Sequence, residues 1–152
     1  MKRWSDLEHQ EPELAEAGRQ LFYQFGVGLG FLATVRKDGG PRLHPICPII
    51  AHGGLYGFIL PSPKRLDLRR DGRFALHSFP PAETDDEFYV TGRVVEIDDP
   101  AIRESVANAY HHDPGREEEL FEFLIERCLL ARYRERGAFP PTYTNWRAEQ
   151  TL

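Results

Sequence analysis

The segment Ser62-Pro63-Lys64-Arg65-Leu66-Asp67-Leu68-Arg69-Arg70 concentrates residue types that can hold an anion. From Lys64 to Arg73, five basic residues (Lys64, Arg65, Arg69, Arg70, Arg73) stand against two acids (Asp67, Asp71). That local excess of positive charge sits in a chain whose net charge is −5. Ser62 is a good N-cap and Pro63 a good first residue, so a short helix is expected over 63–70. The first turn of a helix carries unpaired N–H groups and a partial positive charge. A hydroxyl (Ser62) and an ammonium (Lys64) at that end suit one phosphate group. A capped surface helix with solvated cations has the same sequence, so the segment alone leaves both readings open.

A second pair is Arg42 and His44, two apart in a β-prone run and therefore on one strand face. Together they can meet an anion or a ring carbonyl. A half-buried structural histidine beside a surface arginine is the plain alternative. Other polar groups carry less. His111-His112-Asp113 precedes Pro114-Gly115 and reads as a solvated loop whose adjacent side chains do not converge. Glu117-Glu118-Glu119 reads as a solvated helix start and Asp85-Asp86-Glu87 as a solvated loop. Cys47 beside Pro48 reads as a packed residue, since no base adjoins it in sequence. The two cysteines, Cys47 and Cys128, fit neither a disulfide framework nor a metal spacing. No metal ligand and no catalytic residue is assigned.

These groups must be positioned by a turn-rich chain. Thirteen glycines and twelve prolines in 152 residues point to many turns, hence to β structure. The length fits one domain over 1–152, with a helix at 11–25 and an extended tail at 138–152. In the helix, Leu14, Gly18, Leu21, Phe22 and Phe25 share one face, and Gly26 is its stop. Strands are expected at 29–36, 42–50, 55–60, 73–79 and 88–98, with hairpin turns at Asp38-Gly39 and Gly53-Gly54. Pro45 and Pro48 restrict the second strand to an edge or a bulge. A helix is expected over about 100–110, capped by Asp99 and presenting Ile102, Val106 and Tyr110. The stretch 116–136 fits a helix or the start of a strand equally, and periodicity does not decide. An acidic pI near 5.7 argues against a nucleic-acid or anionic-membrane partner. The N-terminus lacks an apolar signal core, and the most apolar stretch, 45–60, is broken by Pro48, His52 and Gly53-Gly54. The expectation is a soluble, cytoplasmic protein.

The ordered set Phe31-Leu32-Ala33-Thr34-Val35-Arg36-Lys37-Asp38-Gly39-Gly40-Pro41-Arg42, Pro45-Ile46, Gly54-Leu55-Tyr56, Ser62-Pro63-Lys64, Asp67-Leu68 and Arg73 resembles the pyridoxamine 5′-phosphate oxidase-like family. The resemblance covers about residues 11–100. It implies a mainly β fold with flanking helices, a six-stranded antiparallel split β-barrel. It also implies a homodimer with FMN in clefts at the interface, acting as an oxidoreductase on a small-molecule substrate. By this resemblance Ser62 and Lys64 fall at the FMN phosphate, and Thr34 with His44, Pro45 and Ile46 along the flavin ring. Arg42 compensates for the arginine that His44 replaces, and Trp146 lies where a family tail reaches the cofactor or the partner. The family also makes 120–134 a strand. Pro63 stands where the oxidases have a second basic residue, and no vitamin-B6-recognising C-terminal segment is evident, so the family name serves as a fold label. A deazaflavin, its long acidic tail held by Arg65, Arg69 and Arg70, is the alternative cofactor. A non-enzymatic flavin or haem module, with His44 or His77 as axial ligand, is a third reading, and a barrel whose cofactor site has decayed a fourth.

Overall fold

The structure is a computed structural model that describes residues 1–149. Its elements are α1 (Trp4–Gln10), α2 (Pro12–Phe22), β1 (Gly30–Val35), β2 (Pro41–Ile46), β3 (Ile49–Ala51), β4 (Gly54–Ile59), α3 (Pro63–Arg70), β5 (Arg73–Ser78), β6 (Glu87–Ile97), α4 (Pro100–Asn108), β7 (Glu119–Arg132) and β8 (Thr142–Arg147). All strand pairings are antiparallel, in the order β2-β1-β5-β6-β7-β4-β3, with β8 added to β7.

The mainly β class with flanking helices is as expected, but the described residues hold eight strands rather than six. Two local causes account for the difference. Cys47-Pro48 interrupts the expected strand 42–50, leaving β2 at one end of the sheet order and β3 at the other. Proline has no N–H to donate, so pairing stops there. Only three Cα steps separate Ile46 from Ile49, at most about 11 Å. The two ends of the sheet therefore come together, and the sheet curls into a barrel bridged by chain rather than by a ladder. The second cause is the tail, where Thr142–Arg147 forms β8.

The stretch that periodicity left open is one 14-residue strand, β7. It pairs with β6 along most of its length, with β4 through Glu119–Glu122 and with β8 through Arg127–Arg132. Between those two partners, Ile125 exchanges both backbone hydrogen bonds with Lys2 (2.9 and 2.7 Å). The N-terminal residues thus fill a gap in the ladder that would leave buried backbone groups unpaired. A bulge at Thr91/Gly92 bends β6, and a Cβ at Gly92 would lie 1.9 Å from the Leu124 carbonyl oxygen. Only glycine fits so close an approach.

The interior holds Leu32, Leu76, Phe88, Val90, Phe123, Ile125 and Cys128, closed by Trp4, Leu7, Leu14, Leu21 and Phe22 of the first two helices. Helix α1 was not expected from the sequence, and α2 ends at Phe22, so Phe25 lies past it and is exposed. Gly26 does supply the left-handed turn, at φ +86°. Helix α4 lies over Ile49, Tyr56, Phe58 and Leu120 with Val106 inward, whereas Ile102 is exposed. No helix among the described residues is long and apolar enough to cross a membrane.

Candidate functional site

Helix α3 forms where its end signals put it. The Ser62 hydroxyl accepts from the Arg65 N–H (3.4 Å) and donates to the Leu60 carbonyl (2.8 Å). It is thus the N-cap, with its proton already placed. Pro63 starts the helix, and Asp71 and Gly72 (φ +80°) end it.

Asp67, at the middle of α3, is the group on which this corner converges. It is 3% exposed. Its Oδ2 accepts from the Thr34 hydroxyl (2.8 Å) and from Arg42 Nε (2.7 Å), and its Oδ1 accepts from Arg70 (3.3 Å). Thr34 comes from β1 and Arg42 from β2, directly opposite each other in register. Burial works to raise the Asp67 pKa, but the hydrogen bonds from Arg42, Thr34 and Arg70 outweigh it and hold the carboxyl below its usual value. Arg70 also donates to the Val35 carbonyl. Two predicted site residues, Thr34 and Arg42, are therefore brought together around a carboxylate that was not picked out as a site residue.

Lys64 differs. It occupies the first turn of α3, is half-buried, and forms no ion pair among the described residues. Its pKa is lowered by burial. The Lys64 N–H lies in the first turn and has no helical acceptor; the first N–H groups of α3 to pair are those of Arg65 and Leu66, both with the Ser62 carbonyl. A desolvated, unpartnered ammonium beside a helix start is an incomplete electrostatic arrangement that an anion would complete.

On β2, Arg42, His44 and Ile46 alternate with Pro41, Leu43 and Pro45. Ile46 is buried in the core, His44 is half-buried opposite Leu32, and Pro45 points outward and is exposed. Only Arg42 of this set reaches the α3 corner through a hydrogen bond. Trp146 lies elsewhere. It sits opposite Cys128, is 8% exposed, and donates its indole N–H to Gln10 Oε1 (3.0 Å), which packs the tail against the end of α1. A cleft of about 600 Å³ beside the corner is lined by Arg36, Lys37, Arg42, Leu66, Asp67 and Arg70.

The three arginines considered for a deazaflavin tail are each engaged within the chain. Arg65 donates to the carbonyls of Ile59 and Glu117, Arg69 clasps Glu96 through two nitrogens, and Arg70 is bound to Asp67. His77 Nδ1 lies 2.5 Å from the Ser78 carbonyl, with Glu87 3.6 Å from its other nitrogen. Contrary to expectation, His111 and His112 do converge, with ring nitrogens 3.0 Å apart. Even so, no group of three or more His, Cys, Asp or Glu among the described residues could hold a metal. Cys47 has its pKa raised, by burial above all, although a hydrogen bond with Tyr110 works to lower it, and this disfavours the thiolate.

Asp67 was missed because its partners lie 33 and 25 residues away. The one local signal was Arg70, three residues on and on the same helix face.

The curled antiparallel sheet, with a helix between its fourth and fifth strands, is the split-barrel fold of the pyridoxamine 5′-phosphate oxidase-like proteins. A Clostridium acetobutylicum protein of the pyridoxinephosphate oxidase family, related to general stress protein 26, superposes with a TM-score of 0.60 at 13% identity over 94% of this chain and 95% of its own. A haem-binding protein from Mycobacterium smegmatis gives 0.63 at 16% identity over 84% of this chain and 57% of its own, so this chain spans little more than half of that one. A haem storage protein from Vibrio cholerae gives 0.59 at 13% identity over 76% and 89%. No family model and no curated protein matches the sequence.

Proposed function

We propose that the chain is an FMN-binding oxidoreductase that holds the cofactor phosphate at the start of α3 and works as a homodimer on a small-molecule substrate. The observation that carries this reading is Lys64: half-buried, in the first turn of α3, with no carboxylate partner among the described residues, while Arg42 and Arg70 are tied to Asp67. A phosphate there meets one free ammonium and one free backbone N–H. The residues present thus fit the anionic end of FMN.

Bound FMN supplies hydride transfer at its ring. The chain's own groups have three tasks. Lys64 neutralises the phosphate. Asp67 holds Thr34 and Arg42 of β1 and β2 against α3, so that the strand edge and the helix start keep a fixed spacing. The cleft lined by Pro63, Arg42, Asp67 and Arg70 offers room for the rest of a ligand. The split-barrel likeness supports a flavin or haem ligand, and the engaged Arg65, Arg69 and Arg70 weigh against the deazaflavin tail.

The dimer reading rests on the sheet. The outward rows of β2, β1 and β5, Pro45–Phe31–His77 and Leu43–Ala33–Ala75, are only half-buried or exposed, and no residue of these rows is buried. Leu43 among them is 64% exposed. An uncovered face with this many apolar groups suits a second copy. Sedimentation at micromolar concentration tests this, and a monomer overturns it.

FMN titration followed by flavin fluorescence tests the site. Wild type should bind, and Lys64→Ala should bind at least about tenfold more weakly, a loss of ~1.4 kcal/mol. Equal affinity in both, or no binding, defeats the reading. Haem is the second reading, favoured by one observation: the His44 imidazole is half-buried with no hydrogen bond among the described residues, unlike His77. A Soret band on haem addition that disappears in His44→Ala would favour it.

A further inference from the structure

We infer that Arg127 and Arg147 form an anion-binding subsite on the outer face of the sheet, taking the carboxylate or phosphate end of a small molecule. The two residues lie directly opposite each other on β7 and β8. Directly opposed side chains in an antiparallel pair start about 4.5–5.5 Å apart at Cβ, and like charges so placed repel. Both are exposed, and neither forms an ion pair or a side-chain hydrogen bond among the described residues. Elsewhere on the same sheet arginines are relieved: Arg73 binds Asp71, and Arg132 lies 3.5 Å from Asp86.

The pair also has a floor and walls. Both line one hollow of about 270 Å³ with Tyr89, Leu129, Asn145 and Trp146. Register explains the grouping. Tyr89, Leu129 and Asn145 form one row across β6, β7 and β8, and Thr91, Arg127 and Arg147 form the next. The hollow thus presents two guanidinium forks, a phenol hydroxyl and a side-chain amide above an apolar base. Guanidinium forks match the paired oxygens of carboxylates and phosphates. The volume falls below the roughly 300–1,000 Å³ of sites that enclose a whole ligand, so the subsite takes an end group. This site is separate from the start of α3, and it does not require that Lys64 bind FMN.

The test is thermal unfolding of the full chain, with inorganic phosphate or malonate added against chloride at matched ionic strength. The proteins are wild type, Arg127→Gln, Arg147→Gln, and Lys64→Ala as a background lacking the proposed cofactor cation. Phosphate and malonate stabilise proteins generally by exclusion, so the variants supply the baseline. At ten times its Kd, the anion should raise the Tm of wild type and of Lys64→Ala by roughly 3–6 °C more than that of either arginine variant. A larger response to phosphate assigns a phosphate ester, and a larger response to malonate assigns a carboxylate. Equal shifts in all four proteins, or none, overturn the subsite. So does a change in molecular mass in the arginine variants, since the pair would then serve a contact between copies. Loss of the phosphate response in Lys64→Ala alone overturns it too, because the anion would then sit at α3.

Discussion

The corner of α3 with β1 and β2 and the outer face of β7 with β8 both gather arginines, and they treat them in opposite ways. At the corner, Arg42 and Arg70 converge on one buried carboxylate, and Thr34 completes its shell. On the outer face, Arg127 and Arg147 oppose each other with no carboxylate between them among the described residues. The difference teaches that a basic side chain in a sequence marks an anion site only when the fold leaves it unpartnered. By that criterion the arginines of the 62–73 segment are structural, and Lys64 is what remains for a ligand.

The corner should break hardest. Asp67→Ala removes the acceptor for one hydroxyl and two guanidiniums. Losing one partner of a buried pair costs about 3–5 kcal/mol. Arg42 and Arg70 are about a third exposed on their side chains and can reach water, so the lower end, about 3 kcal/mol, is expected. Urea unfolding measures it through the midpoint at constant slope. A loss below about 1 kcal/mol would mean that the convergence does little for stability.

Acid should reproduce part of that loss without a mutation. The folded-state pKa of Asp67 is depressed. Its contribution is therefore fully present above the unfolded value, near ~3.9, and is lost as pH falls through the folded value. The stability of Asp67→Asn should fall less steeply over that window than that of wild type. Parallel curves would show that other carboxylates carry the acid sensitivity.

Lys64→Ala sharpens the comparison from the other side. Truncating an unpartnered cation whose pKa is lowered by burial should change stability by less than about 0.5 kcal/mol while weakening FMN binding about tenfold. A stability loss as large as that of Asp67→Ala would place Lys64 among the structural cations.

How much of this was legible follows the same line between local and distant causes. The bounds of α3 were readable because Ser62, Pro63 and Asp71-Gly72 act within a few residues of themselves. Pro45 correctly marked an edge strand for the same reason. The break at Cys47-Pro48 was signalled by its proline, but nothing local said that the chain would cross from one end of the sheet to the other there. Strand β7 was undecidable because Leu120, Phe121, Phe123, Leu124 and Ile125 are apolar on both faces. The structure supplies the reason, since the first half of β7 lies between the main core and the layer under α4. Helix α1 escaped notice although Trp4 and Leu7 have helical spacing. The segment is short, and its stability comes from burial of those two side chains. The Asp67 convergence was invisible because it joins three elements.

The smallest expected effect is the most discriminating one. Replacing Arg127 by Gln removes one charge of an opposed like-charged pair and keeps most of the side chain. Cross-strand pairs of this kind are worth roughly 0.2–1 kcal/mol, and exposure to water with salt screening puts this one at the low end. Without added anion, Arg127→Gln should therefore be more stable than wild type by about 0.2–0.5 kcal/mol, and the gain should shrink as chloride rises. Most substitutions destabilise, so a reproducible gain of either size has a named cause. The same substitution at Arg42 must go the other way, because there the guanidinium answers a carboxylate that is 3% exposed. A pair of variants with one chemistry and opposite signs would establish the contrast between the two regions. Loss of stability in both would remove it.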